Sequence, residues 1–157
     1  MTIKTTGFRD LDRALAEIEK TATRKAVMRR ALIKSAQPMA DRAGSLAPVA
    51  PVNGGELAAS VAVSTKLSAR QRRLHRRMHK NDKAAVEVFV GAGPLSSAHN
   101  QEFGNENHGA QPFMRPAWDA EAKPTLERVG KKMWFEIDKQ AKRAARKAAR
   151  DAKKAGG

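Results

Sequence analysis

Two histidines of this chain have a spacing that could support metal binding. His75 and His79 are four residues apart, which places two imidazole rings on one face of a helix, and such pairs occur among zinc ligands. No third histidine or carboxylate accompanies them at a spacing typical of a metal site, and lysines and arginines surround them. The pattern therefore favours a solvated basic face, and we predict no metal site here.

A second group of polar side chains could support acid–base chemistry. His99, Glu102, Glu106 and His108 lie within ten residues and carry the groups that general acid–base catalysis commonly uses. No nucleophile elbow, HExxH, P-loop, GxGxxG or DxD pattern accompanies them, and the chain has no cysteine for thiol chemistry. We predict no catalytic residue and no cofactor, and we interpret this region as a structural loop. An enzyme acting through it is the weakest hypothesis.

The net charge of +15 resides almost entirely in two segments. Residues 66–83 and 139–154 each carry eight lysines and arginines against one aspartate, so each contributes +7 and the rest of the chain is nearly neutral. These cations could contact nucleic-acid phosphates or acidic neighbouring subunits. Neither segment interleaves aromatic side chains, so base stacking is not predicted. The candidate contact residues are Arg70, Arg72, Arg73, Arg76, Arg77, Lys142, Arg143, Arg146 and Lys147.

Apolar residues at spacings of three and four predict a helical pair at the start of the chain. The first stripe runs from Phe8 to Ala22 and the second from Met28 to Ala43. Pro38 lies inside the second stripe and is expected to bend or break that helix. Gly44 is expected to end it.

The middle of the chain predicts an antiparallel β-hairpin. Residues 47–55 contain prolines and glycines that form a loop. Residues 57–65 and 84–90 are enriched in β-branched side chains and predict the two strands. The basic residues 66–83 would form the tip of the hairpin, either as a short polar helix or as a mobile loop. A further short extended element is expected at residues 98–103.

The C-terminal part predicts a long helix. Pro116 fits its first turn, Pro124 is expected to restart or kink it, and an apolar stripe continues from Leu126 through Trp134 to Ile137. From residue 139 onward only alanines keep the helical period, so this tail is expected to be helical when docked and frayed when free.

These elements predict an α+β fold, in which the N-terminal helical pair and the C-terminal helix pack on a small antiparallel β-sheet. We assign residues 1–138 to one domain and residues 139–157 to a basic helical tail. Only 4% of the residues are aromatic, so the core is small and association with other subunits is expected. No apolar run is long enough to cross a membrane, and no leader pattern is visible.

One stretch, HNQEFGNENHGAQPFMRPAWD at residues 99–119, resembles the most recognisable motif of phage tail-completion and minor tail proteins, of the kind called protein Z in lambda-like phages. Usual members have Thr or Ser where this chain has Asn105. The segments GFRDLDRAL and GGELAASV occur upstream in the order that the family shows, so the resemblance covers about residues 7–138. The matching motif positions are Glu102, Phe103, Gly104, Gln111, Pro112, Phe113, Arg115 and Pro116.

The resemblance implies a structural virion protein of the tail or neck of long-tailed phages, assembled in the host cytoplasm. Its copies would form a ring, with six as one candidate number, at the head–tail junction or the head-proximal end of the tail. There it would serve tail completion and head–tail joining, in contact with connector or stopper proteins and with the tail tube or terminator. The resemblance implies no catalytic residue and no membrane. The alternative hypothesis is a nucleic-acid-binding protein that uses its two basic arms, and nonspecific DNA contact is compatible with both.

Overall fold

The computed structural model describes residues 21–50, 54–80 and 86–155. The helix predicted from Phe8 to Ala22 lies outside these residues, apart from its last two positions. Five helices and two strands follow in the order α1 (Thr21–Leu46), α2 (Glu56–Ser60), β1 (Ala62–Ser64), α3 (Ala69–Met78), β2 (Phe89–Gly91), α4 (Ser96–Phe103) and α5 (Met114–Ala155). The described residues therefore have the predicted α+β architecture, with a C-terminal helix and a small antiparallel sheet.

Helices α1 and α5 pack against each other and run antiparallel, since Arg30 pairs with Glu136 and Arg42 with Glu121. Val27 and Ala31 of α1 are buried against Val129, Met133 and Ile137 of α5. Met28 and Leu32 add partly buried surface to this cluster. The seam confirms the predicted stripe of α5, although Trp134 is 44% exposed. On α1 the buried positions lie one residue before the predicted Met28 and Leu32.

Prolines lie inside both long helices without ending either of them. Pro38 is within α1 and Pro124 within α5, so Pro38 does not break its helix and Pro124 does not restart its helix, and the alternatives of a bend at Pro38 and a kink at Pro124 stay predictions. A proline removes one backbone donor. Around Pro38, Ala36, Met39 and Ala40 of α1 are buried, and this tertiary burial outweighs the local cost.

Gly44 does not end α1, which continues to Leu46. A Cβ atom at position 44 would lie 3.3 Å from the carbonyl oxygen of Ala58 in α2. Glycine at this position therefore allows α1 and α2 to pack closely together. The sequence pattern, which indicated a helix end, does not reveal this role.

A second core cluster lies where the short elements meet the long helices. Ala43, Ala47, Leu57, Phe113 and Ala117 are buried together there. Phe113 is only 1% exposed and is the largest fully buried side chain in the described part of the chain. The residue therefore serves as the core anchor at the entry to α5.

The two strands pair in antiparallel register, with Val63 opposite Val90, as predicted, but each strand has only three residues. Residues 57–60 form part of helix α2 instead of a strand, because the helical turn buries Leu57 in the second core cluster. Residues 98–103 also belong to a helix, α4, and not to an extended element. Positions 84 and 85 of the second predicted strand lie outside the described residues.

The tip of the hairpin contains helix α3, in agreement with the helical alternative. Its start is fixed by a capping box in which the Ser68 hydroxyl accepts the Gln71 N–H and the Gln71 side chain accepts the Ser68 N–H. In the tail, α5 continues to Ala155, and its described side chains beyond Gln140 are exposed. The domain boundary at residue 138 stays a prediction, since the helix passes through it uninterrupted.

Candidate assembly site

Glu102 of the recognised motif lies at the end of α4 and points into the start of α5. Its position four residues after Ala98 places both side chains on one helix face, and Ala98 packs on the second core cluster. Glu102 is therefore only 5% exposed. A buried carboxylate requires hydrogen-bonding partners, because an unpaired charge is costly to remove from water.

These partners are the free backbone donors of α5. One oxygen of Glu102, Oε2, accepts the N–H groups of Phe113 at 2.8 Å and of Met114 at 2.9 Å. The other, Oε1, accepts the N–H of Arg115 at 3.1 Å. Pro116 follows and has no N–H to satisfy. In the first turn of α5, each backbone N–H group is therefore hydrogen-bonded, and the proline position has none. The negative carboxylate also interacts favourably with the dipole of the helix.

The side chain of Arg115 completes this arrangement. Its Nε donates to Glu102 Oε1 at 2.8 Å, and its Nη2 donates to the Glu102 carbonyl oxygen at 2.6 Å. Burial raises the pKa of Glu102, but the hydrogen bonds from Arg115 and from the three backbone N–H groups outweigh it, so this pKa lies below its ordinary value. Glu102 is therefore ionised at neutral pH, and both of its carboxylate oxygens are occupied by hydrogen bonds that hold the start of α5.

The loop between α4 and α5 turns back on itself within residues 104–111. Gly104 has a φ of 78°, and a Cβ atom there would lie 2.9 Å from the backbone nitrogen of Ala110. The Gln111 N–H donates to the Gln101 carbonyl at 2.7 Å. The side chain of Asn105 accepts the N–H groups of residues 107 and 108. Asn105 is thus accommodated at the motif position where the family usually has Thr or Ser.

Two aromatic side chains extend from this framework into solvent. Phe103 and Trp118 are each 60% exposed, and the guanidinium carbon of Arg115 lies 5.0 Å from the Phe103 ring centroid. Trp118 lies three residues after Arg115, on the same side of α5. We call Phe103, Arg115 and Trp118 the assembly corner.

An apolar groove of about 300 Å³ adjoins the assembly corner. It is lined by Leu32 and Met39 of α1, Val88 of the hairpin, and Met114, Trp118 and Val129 of α5. Among the residues that the structure describes, no ionisable side chain lines it, so the groove can accept an apolar side chain.

Other predicted motif residues lie around this corner. Gln111 and Pro112 are exposed in the loop, and Pro116 is exposed in the first turn of α5, as predicted. His99 stacks at 4.9 Å on Phe103, and the His108 ring nitrogen lies 2.7 Å from the Gly109 carbonyl oxygen. Glu106 is exposed, and these three side chains do not join Glu102 in its hydrogen-bonded network.

The candidate cations of α3 lie on one exposed face. Arg70, Arg72, Arg73, Arg76 and Arg77 occupy an arc of about 160° at 100° per residue. The adjacent Leu74 and Met78 are 45% and 77% exposed.

His75 lies on the side of α3 that faces the hairpin. Its ring lies edge-on to Phe89 at 5.3 Å, and its Nε2 is 3.4 Å from Glu87. The interpretation of His75 as solvated was therefore incomplete, since Glu87 is too distant in sequence to be recognised as its neighbour. Across residues 21–50, 54–80 and 86–155, no group of three His, Asp or Glu side chains has a geometry that could hold a metal ion.

The cations of the tail occupy one face of α5. Lys142, Arg143, Arg146 and Lys147 are all exposed. Lys142 pairs with Asp138 at 2.7 Å. Within the described part of the chain, no helix is both long enough and apolar enough for a membrane crossing.

The amino-acid sequence matches one known protein family. The sequence model of one family, described as "Bacteriophage HK97-gp10, putative tail-component", matches residues 9–104, which is more than half of the chain. The chain belongs to this HK97-gp10-like family. Neither the curated proteins nor the solved structures gave a match to the chain.

Membership of the HK97-gp10-like family makes this a structural, tail-associated phage protein. The matched region covers α1 to α4 and ends at Gly104, so it includes Glu102 and Phe103 but not the PFMRP segment at the start of α5. The match is to tail components as a class. The narrower resemblance to tail-completion proteins depends on the segment beyond the match.

Proposed function

We propose that this protein is a ring-forming subunit at the head–tail junction or the head-proximal end of the phage tail, where it completes the tail and joins it to the head. The observation that carries this proposal is the exposure of its aromatic side chains. Phe103 and Trp118, two of the seven aromatic residues and both part of the assembly corner, are each 60% exposed. A small chain with so few aromatic residues would bury them if it functioned alone.

The composition of the assembly corner supports a role in protein association. Aromatic residues and arginine are enriched at protein interfaces and account for much of their binding energy. Phe103, Arg115 and Trp118 supply these types on one surface, and the groove beside Trp118 supplies an apolar recess. A neighbouring subunit that inserts an apolar side chain into this groove would cover the corner.

The corner is also rigid before any partner binds. Glu102 fixes the first turn of α5 through three backbone N–H groups, and its ion pair with Arg115 orients the guanidinium over Phe103. Such preorganisation lowers the entropy lost on association. Head-to-tail contacts between identical subunits close into a ring when the rotation between them permits it.

The exposed face of α3 offers a second contact for the neck and tail proteins. It combines five arginines with Leu74 and Met78, and both Arg and Met are enriched at protein interfaces. An acidic neighbouring subunit would fit this face, because complementary charge orients partners during assembly.

The test replaces the aromatic pair of the assembly corner in a phage that encodes this protein. Phage carrying Trp118→Ala and Phe103→Ala should produce separate heads and tails, visible by electron microscopy, and tails that lack this protein by mass spectrometry. Phage carrying Phe135→Ala, which removes an equally exposed ring, should assemble normally. Joined particles with normal infectivity from the corner variant, or absence of the wild-type protein from purified particles, would contradict the proposal.

A further inference from the structure

The end of α5 has a cationic side and an alanine side. On a helix of 3.6 residues per turn, the seven cations that the structure describes there as exposed fall within an arc of about 140°. The exposed Ala141, Ala144, Ala145 and Ala149 fall on the opposite arc. The cations are Lys139, Lys142, Arg143, Arg146, Lys147, Arg150 and Lys154, which we call the tail stripe.

The tail stripe is long enough to contact several successive phosphates of a nucleic acid. From Lys139 to Lys154 the helix rises about 22 Å at 1.5 Å per residue. Duplex DNA presents about one phosphate charge per 1.7 Å of its axis. A duplex segment as long as the stripe therefore carries more phosphate charges than the stripe has cations. Lys142 has a nearby carboxylate in Asp138, but both side chains are largely exposed, and that pair can exchange for a phosphate at little cost.

The composition of the stripe distinguishes phosphate from an acidic protein as its partner. Four of its seven cations are lysines, and lysine is depleted at protein interfaces. The segment after Phe135 has no aromatic residue that could anchor a protein partner. The arginine face of α3 differs, because Leu74 and Met78 lie beside it.

We propose that the tail stripe binds the phosphate backbone of double-stranded DNA without sequence preference. This inference goes beyond the proposed role in tail assembly and does not depend on the assembly corner. The stripe consists only of lysines and arginines, with no amide side chain to pair with adenine and no aromatic side chain to stack on a base, and phosphate oxygens can satisfy all of its cations. Its binding energy would come from counterion release, which makes it steeply dependent on salt.

The test measures binding of the full-length protein to a labelled duplex of about 30 base pairs by fluorescence anisotropy over a range of salt concentrations. The variant Arg143→Gln/Arg146→Gln/Arg150→Gln should have a log–log salt slope shallower by about 2.7, since each phosphate contact contributes about 0.9. The control Lys25→Gln/Arg29→Gln/Lys132→Gln removes three exposed cations outside the stripe and should keep the wild-type slope. Glutamine is a good helix former, so both variants should fold.

Two further measurements separate the possible partners. A duplex of unrelated sequence should bind within about twofold of the first, and poly-glutamate should displace DNA only at about tenfold higher charge concentration. Equal salt slopes for the stripe variant and its control would overturn the proposal. Displacement by poly-glutamate at equal charge concentration would overturn it in favour of an acidic protein, and a large preference between the duplexes would overturn its lack of sequence specificity.

Discussion

The Glu102 carboxylate accepts the backbone N–H of Phe113 at 2.8 Å, eleven residues further along the chain. This bond joins the C-terminal end of α4 to the residue that anchors the start of α5 in the core. The motif around Glu102 is therefore a structural joint, in which a buried charge caps one helix from the end of another. Because the joint fixes the assembly corner, its stability should control both folding and association.

Replacing Glu102 by Gln should destabilise the protein by about 1.5–3 kcal/mol, because the amide loses the charge that strengthens its bonds to backbone N–H groups and to Arg115. The free energy of unfolding in urea measures this loss. Glu106→Gln, four residues away and exposed, is the matched control and should change stability by less than about 0.5 kcal/mol. Equal effects for the two variants would show that the joint contributes nothing.

Acid should destabilise the wild type more than a variant that lacks the two buried carboxylates. Burial raises the pKa values of Glu102 and Glu136, but hydrogen bonds and nearby cations outweigh it and lower both. Their contribution is present above the ordinary pKa of 4.5 and is lost as pH falls through the lowered folded values.

Urea midpoints between neutral pH and about pH 3 test this dependence. They should fall steeply in the wild type and more gently in Glu102→Gln/Glu136→Gln. The control Glu106→Gln/Glu127→Gln, with exposed carboxylates, should follow the wild type. If the urea midpoint falls equally with pH in all three proteins, Glu102 and Glu136 are not the cause of the acid destabilisation.

The glycines of the loop before α5 should differ in their tolerance of alanine. Gly104→Ala places a Cβ atom 2.9 Å from the Ala110 nitrogen at a φ of 78°, so we expect a loss of about 2 kcal/mol or more. Gly109→Ala has open space around its Cβ and no positive φ, and should change the melting temperature little. A similar loss at both positions would mean that general loop flexibility, and not the turn at Gly104, explains the effect.

The sequence predicted the long elements well because their apolar period is repeated many times. The α1–α5 seam follows the stripe from Leu126 on α5 and, on α1, residues one position before Met28 and Leu32, and helix α1 continues through Pro38 and Gly44. The hairpin was also predicted correctly in its antiparallel pairing.

The short elements could not be predicted in the same way. Helices α2 and α4 have five and eight residues, too few for periodicity to distinguish a helix from a strand. The motif marked Glu102 as important. The backbone N–H groups that hydrogen-bond to its carboxylate could not be predicted, because that contact depends on α4 being helical. The surface position of Trp118 likewise depends on how α5 is rotated against α1, which no local pattern determines.

A last prediction concerns the ion pair that crosses the α1–α5 seam. Glu136 is buried and accepts from Arg30 Nε at 2.9 Å, with Lys34 at 3.7 Å. A double-mutant cycle with Arg30→Ala and Glu136→Ala should give a coupling energy of about 1–2 kcal/mol, since the Arg30 side chain is 43% exposed and Lys34 can partly replace it. The Asp138–Lys142 pair is exposed at both ends, and its cycle should give less than about 0.5 kcal/mol. If both cycles give the same small value, the seam is held by apolar packing alone and the buried carboxylate adds nothing to its stability.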